Sequence, residues 1–372
     1  PFSVLAVMSL FWSTSLKLAL WHYLSKPARL LWQRLPLRQR RALALAPLVA
    51  SSALSLMVMH FCMHPNIRPF LSRWQLPPGT PRWYDVARYG VGGHIPVITT
   101  ETRRSEFLLD MDGIPGVKMC NAAVGLPPRS FVTKNEMFLA WTERELAEHG
   151  DKLAIFVDAG DMWFGNCSED ELLKGYRSVV SASGEAPVVM SAELDPYPNG
   201  DGWDTHRYDE LLRRKRDVLQ ATGLGEHPAW ESFDKADCLR ACPPKYAYTN
   251  YGFIMGPVAA VKTLLEGVVK GTVPTWFSLV KKYFNPKKVI TSIDQGQAAK
   301  FMFNHPELVT LDYSMSVVAS IGLFKPGALI EMQDGKLVNK ITQQVQCFVH
   351  GNGAGKQELA RLREHWNNAS VT

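Results

Sequence analysis

The stretch KLAIFVDAGDMWFGN, residues 152–166, sets an apolar run directly against two carboxylates. Residues 153–157 carry no charge and predict a short buried strand, and Asp158 and Asp161 follow where that strand must end. Ligands bind α/β proteins at the carboxyl ends of strands, and hard divalent cations prefer carboxylate oxygens, so the pair is a candidate metal site. The alternative is a solvated turn, since Asp and Gly are common turn formers. Two aromatic residues follow at once and return the chain to apolar surroundings, which favours the metal interpretation.

Strand and helix patterns alternate from about residue 94 onward. The predicted strands are residues 94–100, 153–157, 186–193, 251–256 and 307–313, and the predicted helices are residues 138–149, 169–180, 258–271 and 294–303. Ser168 stands in the N-cap position of one of these helices. Because several strands end in an acidic residue, the pattern indicates an α/β sheet with its site along one edge.

The net charge of +6 is carried by the N-terminal segment. Residues 1–84 contain ten Lys or Arg and no Asp or Glu, so the remaining residues carry a net charge of +6 − 10 = −4. Nucleic-acid affinity depends on neutralisation of phosphates by Lys and Arg. The slightly acidic remainder therefore argues against a nucleic-acid-binding surface.

Residues 42–63 form an uncharged stretch of 22 residues, long enough to span a bilayer. Basic residues precede it, so the positive-inside rule predicts a cytosolic basic segment (1–41) and a single-pass type II anchor in the endoplasmic reticulum or Golgi membrane. A Pro-rich stem (64–93) and a lumenal globular domain (94–372) would follow. A buried core helix or a cleaved signal peptide are the alternatives, and the apolar residues 1–16 leave a second membrane segment open.

Cysteine spacing gives two alternatives. Cys238 and Cys242 would form a disulfide in an oxidising compartment, or would be half of a zinc site, for which no second Cys or His pair stands at suitable spacing. N-x-S triplets occur at Asn166 and Asn368 and have meaning only in a lumenal domain.

A second constellation stands near the C-terminus in CFVHGNGAGKQEL, residues 347–359. His350 follows an apolar strand-like run, a glycine-rich turn comes next, and Lys356 completes the stretch. Glycines allow backbone amides to approach a ligand closely, and a lysine can balance phosphate charge. The stretch is a candidate binding site for a phosphate-containing ligand.

Taken in order, FVDAGD, VVMSAE, TNYGFIMG, SIDQGQ and FVHGNGAGK resemble the glycosyltransferase domain of the procollagen lysyl hydroxylase and glycosyltransferase family, over about residues 94–366. The resemblance implies a GT-A-like (Rossmann-like) α/β domain and a metal-dependent hexosyltransferase. The enzyme would move a sugar from a UDP-sugar, with Mn²⁺ as cofactor, to a hydroxyl of a protein (hydroxylysine-type) or glycan acceptor. A catalytically inactive GT-A-like scaffold on the membrane is the alternative, and a glucosyltransferase acting on nucleic acid is disfavoured by the charge.

The resemblance also assigns roles to residues. It implies that Asp158, Asp161 and His350 bind the metal, that Lys134, Asn250, Gly252, Gly351, Asn352, Gly353 and Lys356 bind the donor, and that the catalytic residues on the acceptor side are Asp294 and Gln295. The chain departs from the family where a single aspartate precedes Gln295 and where Tyr251 replaces a small residue. These departures leave the sugar and the acceptor undefined.

Overall fold

The structure is a computed structural model that divides the chain into two units, Pro1–Arg73 and Trp74–Thr372. It describes parts of the second unit only. The described residues are 76, 79–80, 82–83, 91–92, 94–102, 117–123, 131–194, 205–223, 247–272 and 293–369. The predicted basic segment, membrane anchor and most of the stem therefore lie outside the described residues, as do Cys238 and Cys242. Within the described ranges, every helix is too short or too polar to cross a bilayer.

Strands and helices alternate through the described part of the chain. The strands are β1 Val97–Thr99, β2 Met119–Asn121, β3 Leu153–Val157, β4 Met162–Phe164, β5 Val188–Glu193, β6 Tyr248–Pro257, β7 Val309–Asp312, β8 Val318–Ser320, β9 Ile330–Gln333, β10 Lys336–Asn339 and β11 Phe348–His350. The helices are α1 Phe131–His149, α2 Glu169–Ala182, α3 Thr205–Ala221, α4 Val258–Thr272, α5 Ile293–Asn304 and α6 Lys356–Ala369. Short 3₁₀ turns lie at Ala159–Asp161 and Gly353–Gly355.

The main sheet has six strands in the order β2-β1-β3-β6-β5-β7. β1 is parallel to β2 and β3, β5 is parallel to β7, and β6 is antiparallel to both of its neighbours. The strand directions show that β1, β2, β3, β5 and β7 share one direction while β6 runs against them. A three-stranded sheet, β4-β11-β8, and a β9-β10 hairpin complete the fold. The fold is mixed α/β, as the sequence predicts, and its main sheet is largely parallel.

Aromatic side chains join these layers. Phe138 and Trp141 of α1 pack edge-on against Phe156 of β3, with ring centroids 5.0 and 5.7 Å apart. Phe348 of β11 contacts Phe253 of β6 at 5.2 Å, so the small sheet packs against the main sheet. Burial of such large apolar side chains dominates core stability.

The β4–β11 pair is also joined covalently. Cys167 and Cys347 form a disulfide across 180 residues of sequence. Cys167 lies three residues after β4, and Cys347 immediately precedes β11. The pair was not predicted from the sequence, because nothing in the local sequence of either residue indicates its partner.

Most predicted elements are confirmed, with shifted ends. β3 has the predicted bounds, and Ser168 caps α2 in a capping box in which Ser168 Oγ and the Glu171 carboxylate bond each other's backbone N–H groups. α1 begins at Phe131, seven residues before the predicted start, and β1 is shorter than the predicted strand 94–100.

Candidate functional site

One edge of the main sheet gathers the predicted site. β3 and β5 end there, and the antiparallel β6 begins there, because Val157 pairs with Phe253 and Glu193 pairs with Tyr248. Asp158 follows β3 directly, and its backbone N–H donates to the carbonyl of Gly252. Strand direction therefore brings together residues that lie almost 100 positions apart in the sequence.

Lys134 binds two acids at this edge. Its Nζ lies 3.1 Å from Asp158 Oδ1 and 3.1 Å from Asp294 Oδ2, and 4.9 Å from the centre of the Tyr251 ring. Its side chain is only 11% exposed. Burial by itself would lower the pKa of Lys134, but the charges and hydrogen bonds of the two aspartates outweigh it, and the pKa lies above the usual lysine value. Lys134 is therefore a buried ammonium ion held between two carboxylates.

Tyr251 covers the same ion pairs. Its ring is buried, and its hydroxyl oxygen is buried without a hydrogen-bond partner among the described residues. Burial, reinforced by the negative charges of Asp294 and Asp158, raises the pKa of the Tyr251 hydroxyl well above its usual value. The phenol therefore keeps its proton at neutral pH.

His350 ends β11 with its ring against the backbone of β6. A Cβ on Gly252 would lie 2.2 Å from His350 Cε1, so the ring occupies the space that a side chain at Gly252 would fill. Burial lowers the pKa of His350, more than the nearby Asp158 and Asp161 raise it, and the imidazole is neutral at pH 7. Its Nδ1 lies 3.5 Å from Ser320 Oγ, and Ser320 Oγ lies 2.6 Å from Ser191 Oγ of β5.

Asp161 and Lys356 form a more open contact beside His350. Lys356 Nζ lies 2.8 Å from Asp161 Oδ1, with the lysine side chain 51% exposed. The backbone N–H of Gly351 donates to the Asp161 carbonyl. Gly353 has φ +56°, a left-handed conformation that favours glycine and turns the chain into α6. Lys356, at the start of α6, thus binds Asp161 at the end of the 3₁₀ turn that connects β3 to β4.

Glu193, to which the sequence analysis assigned no role, accepts hydrogen bonds from three of the predicted site residues. Its carboxylate accepts from Gln295 Nε2 at 2.6 Å, from Asn250 Nδ2 at 3.1 Å, and from Asn352 Nδ2. The side chain is buried. The one sequence signal for Glu193 is an acid at the end of an apolar strand, the same signal that marked Asp158.

The structure thus places the predicted residues at one edge, in separate contacts. The carboxylates of Asp158 and Asp161 are each bound by a lysine, and their negative charges raise the pKa of His350 while burial lowers it more. Among the described residues, no group of three or more His, Cys, Asp or Glu is arranged to hold a metal ion. The donor chemistry nevertheless suits a divalent cation, since a neutral imidazole and two partly exposed carboxylates can all act as ligands.

Comparison with known proteins assigns the chain to no family. No protein-family model matches the sequence, and no curated protein matches it. Among solved structures, mouse xyloside xylosyltransferase 1 in its apo form is similar to the chain with a TM-score of 0.23 and 16% identity, over 47% of this chain and 49% of that chain. The match spans about half the length of that protein. The procollagen lysyl hydroxylase and glycosyltransferase family finds no support in these matches, so the resemblance to it stays a prediction.

Proposed function

We propose that the protein is a metal-dependent glycosyltransferase that moves a hexose from a UDP-sugar to a hydroxyl of a protein or glycan. One observation carries the proposal: two aspartates, a buried imidazole and two lysines lie together at one edge of an α/β sheet. Ligand sites in α/β proteins lie at this kind of edge.

Lys356 is the residue best suited to the donor diphosphate. It is half exposed, it has an acidic partner that is itself partly exposed, and it lies at the start of a helix after a glycine-rich turn. In the proposed reaction Lys356 exchanges Asp161 for a phosphate oxygen and balances part of the negative charge of the leaving diphosphate. The freed Asp161, together with Asp158 and His350, would hold Mn²⁺. When bound, such a cation acts as a Lewis acid toward the leaving group.

Lys134 and Asp294 receive different roles from those that the resemblance implies. Lys134 has its ammonium between Asp158 and Asp294 and little exposed surface, so we assign it to holding these acids in place rather than to uridine or phosphate. The Asp294 carboxylate binds Lys134 and accepts from the Gln295 backbone, and it is 8% exposed. We therefore assign Asp294 to holding Lys134 and the start of α5 in place, rather than to acting as a free base.

A lumenal location belongs to the same proposal. Disulfides persist in oxidising compartments, and the Cys167–Cys347 bridge supports a lumenal domain of the endoplasmic reticulum or Golgi. The uncharged residues 42–63 support a membrane anchor of type II orientation.

A membrane-anchored binding or scaffold protein is the second candidate. It is favoured by the lysines that already neutralise both aspartates, which lets the acids persist without any cation. The two candidates differ in turnover, because a scaffold would bind a nucleotide or a partner and release no product.

Release of UDP decides between them. The full chain is incubated with UDP-glucose, UDP-galactose, UDP-N-acetylglucosamine and UDP-xylose, with and without Mn²⁺. Water is the acceptor of the sugar, and the UDP released by this hydrolysis is measured. We expect Mn²⁺-dependent release with one donor and a loss of about 100-fold or more in Asp161→Ala, since metal stabilisation of a leaving group is worth several kcal/mol. Asp151→Ala is the matched control, because Asp151 is an exposed aspartate before the opposite end of β3. Nucleotide binding without release from any donor would favour the scaffold.

A further inference from the structure

Glu193 is a buried carboxylate that three side-chain amides surround. Its Oε1 accepts from Gln295 Nε2, and its Oε2 accepts from both Asn250 Nδ2 and Asn352 Nδ2. A buried charge is tolerated when hydrogen bonds compensate its lost hydration. With both oxygens occupied and 2% of the residue exposed, Glu193 is not placed to attack a sugar or remove a proton.

The carboxylate fixes which way each amide points. With its NH₂ on Glu193, Asn250 presents its oxygen to the backbone N–H of Gly252 at 2.9 Å. Gln295 likewise presents its oxygen to the backbone N–H of Tyr251 at 3.4 Å. A rotation of either amide would set N–H groups against each other, so the hydrogen bonds to Glu193 and to the backbone fix the amide directions.

The three amides come from three parts of the chain that also carry the site. Asn250 lies two residues before the glycine that packs on His350, and Gln295 follows Asp294. Asn352 lies two residues after His350. Contacts through Glu193 therefore connect the start of α5, the start of β6 and the turn after β11.

We propose that Glu193 is a positioning residue that holds the start of α5 and the turn after β11 at a fixed place relative to β6. Its role in turnover rests on the proposed glycosyl transfer, whereas its role in holding the three segments does not. Misplacement of reacting groups by about 1 Å costs on the order of 100-fold in rate, so a residue with this role matters without touching substrate.

An exchange of hydrogen-bond direction tests the proposal. In Glu193→Gln the new amide oxygen still accepts from Asn250 and Asn352, but its NH₂ faces the NH₂ of Gln295. In Gln295→Glu two carboxylates face each other. In the double variant the amide introduced at position 193 would donate to the carboxylate introduced at position 295. The other oxygen of that carboxylate would accept from the Tyr251 backbone, so the hydrogen bonds to Asn250, Asn352 and Tyr251 are kept and the one between the two exchanged side chains is reversed.

Two measurements follow each variant in the full chain. Amide hydrogen exchange should quicken roughly 5- to 100-fold at residues 293–297 and 351–353 in each single variant, because the broken contact leaves a buried polar group unsatisfied. Turnover of the UDP-sugar used by the wild type should fall about 10- to 100-fold. The double variant should recover most of both losses. Glu145→Gln changes a different buried glutamate, which lies in α1. It should change neither the exchange rates at residues 293–297 and 351–353 nor the turnover.

Each outcome supports or overturns the positioning role. Wild-type exchange in Glu193→Gln, a double variant no better than its parents, or faster exchange spread evenly over the described helices would overturn it. If wild-type protein releases UDP from no donor, the proposed function fails, and the exchange pattern still decides whether Glu193 positions these segments.

Discussion

Two lysines meet the two strand-end aspartates in different surroundings. The buried cluster consists of Lys134, Asp158, Asp294 and Tyr251. It is named for its lysine, whose side chain is 11% exposed and has two carboxylate partners, although the Asp158 side chain is 33% exposed. The open pair consists of Asp161 and Lys356, and its lysine side chain is 51% exposed. The Lys–Asp distances are alike, within 0.4 Å of each other at 3.1–3.2 and 2.8 Å.

The two lysines differ in how well water could solvate them if their aspartate partners were removed. Exposed ion pairs contribute little because water solvates both ions, whereas removal of one partner from a buried pair leaves a charge without compensation. We infer that the buried cluster maintains the structure of the site and that the open pair is the part that rearranges when a charged ligand arrives.

The disulfide joins the segments next to β4 and β11, which flank the open pair, and its removal should have the largest effect. Cys167→Ala with Cys347→Ala should lower the free energy of unfolding by about 2–5 kcal/mol, since the bridge closes a long loop. Denaturant titration measures the change. Cys120→Ala, at a buried cysteine outside the bridge, is the control, and its cost should be smaller. Equal stability with and without the bridge would mean that β4 and β11 hold their pairing unaided.

Removal of the buried cation should rank second. Lys134→Met should lower the free energy of unfolding by about 2–4 kcal/mol, because Asp158 and Asp294 would then share a site with no cation, and the partial exposure of Asp158 limits the cost. Lys152→Met, at an exposed lysine before the other end of β3, should be near neutral. An unchanged free energy of unfolding in Lys134→Met would mean that Lys134 stabilises the fold no more than an exposed lysine does.

Gly252 lies between the two regions, because it follows Tyr251 of the buried cluster and packs against His350, which lies beside the open pair. In Gly252→Ala the new Cβ would overlap the His350 ring, and overpacking of this kind costs about 1–3 kcal/mol. Thermal unfolding gives the stability, and a crystal structure of the variant should show the ring displaced. A His350 ring that stays in place would mean that the gap between Gly252 and the ring can hold a methyl group, contrary to this structure.

The smallest effect on stability should come from the open pair. Lys356→Met should change the free energy of unfolding by less than about 1 kcal/mol, as for other exposed ion pairs. It should nevertheless weaken UDP binding, measured by calorimetry, while Lys152→Met leaves binding unchanged. A large loss of stability together with unchanged UDP affinity would reverse the roles of the two lysines.

Local sequence predicts much of this fold because strand and helix patterns are short-range. An uncharged run predicts β3 with its observed bounds, and Ser168 in the N-cap position predicts the start of α2. The edge at which Asp158 lies follows from strand direction alone.

Contacts between distant segments are the part that sequence does not supply. The Cys167–Cys347 bridge joins residues 180 positions apart, and Glu193 meets amides 57, 102 and 159 positions away. The burial of Lys134 depends on where α1 meets α5. The resemblance that assigns Lys134 to the donor is compatible with an exposed side chain as well as with a buried one. Such contacts depend on packing and register, which no short motif encodes.

The central claim is that Asp158, Asp161 and His350 hold a divalent cation once a diphosphate binds Lys356. Electron paramagnetic resonance of Mn²⁺ tests it directly, because bound Mn²⁺ loses the sharp signal of the free ion. We expect one Mn²⁺ per chain in the presence of UDP. We also expect affinity at least about 10-fold weaker in Asp161→Ala and in His350→Ala, and unchanged affinity in Asp151→Ala. Mn²⁺ that stays free in the presence of UDP, or that binds Asp161→Ala as tightly as wild type, would contradict the claim.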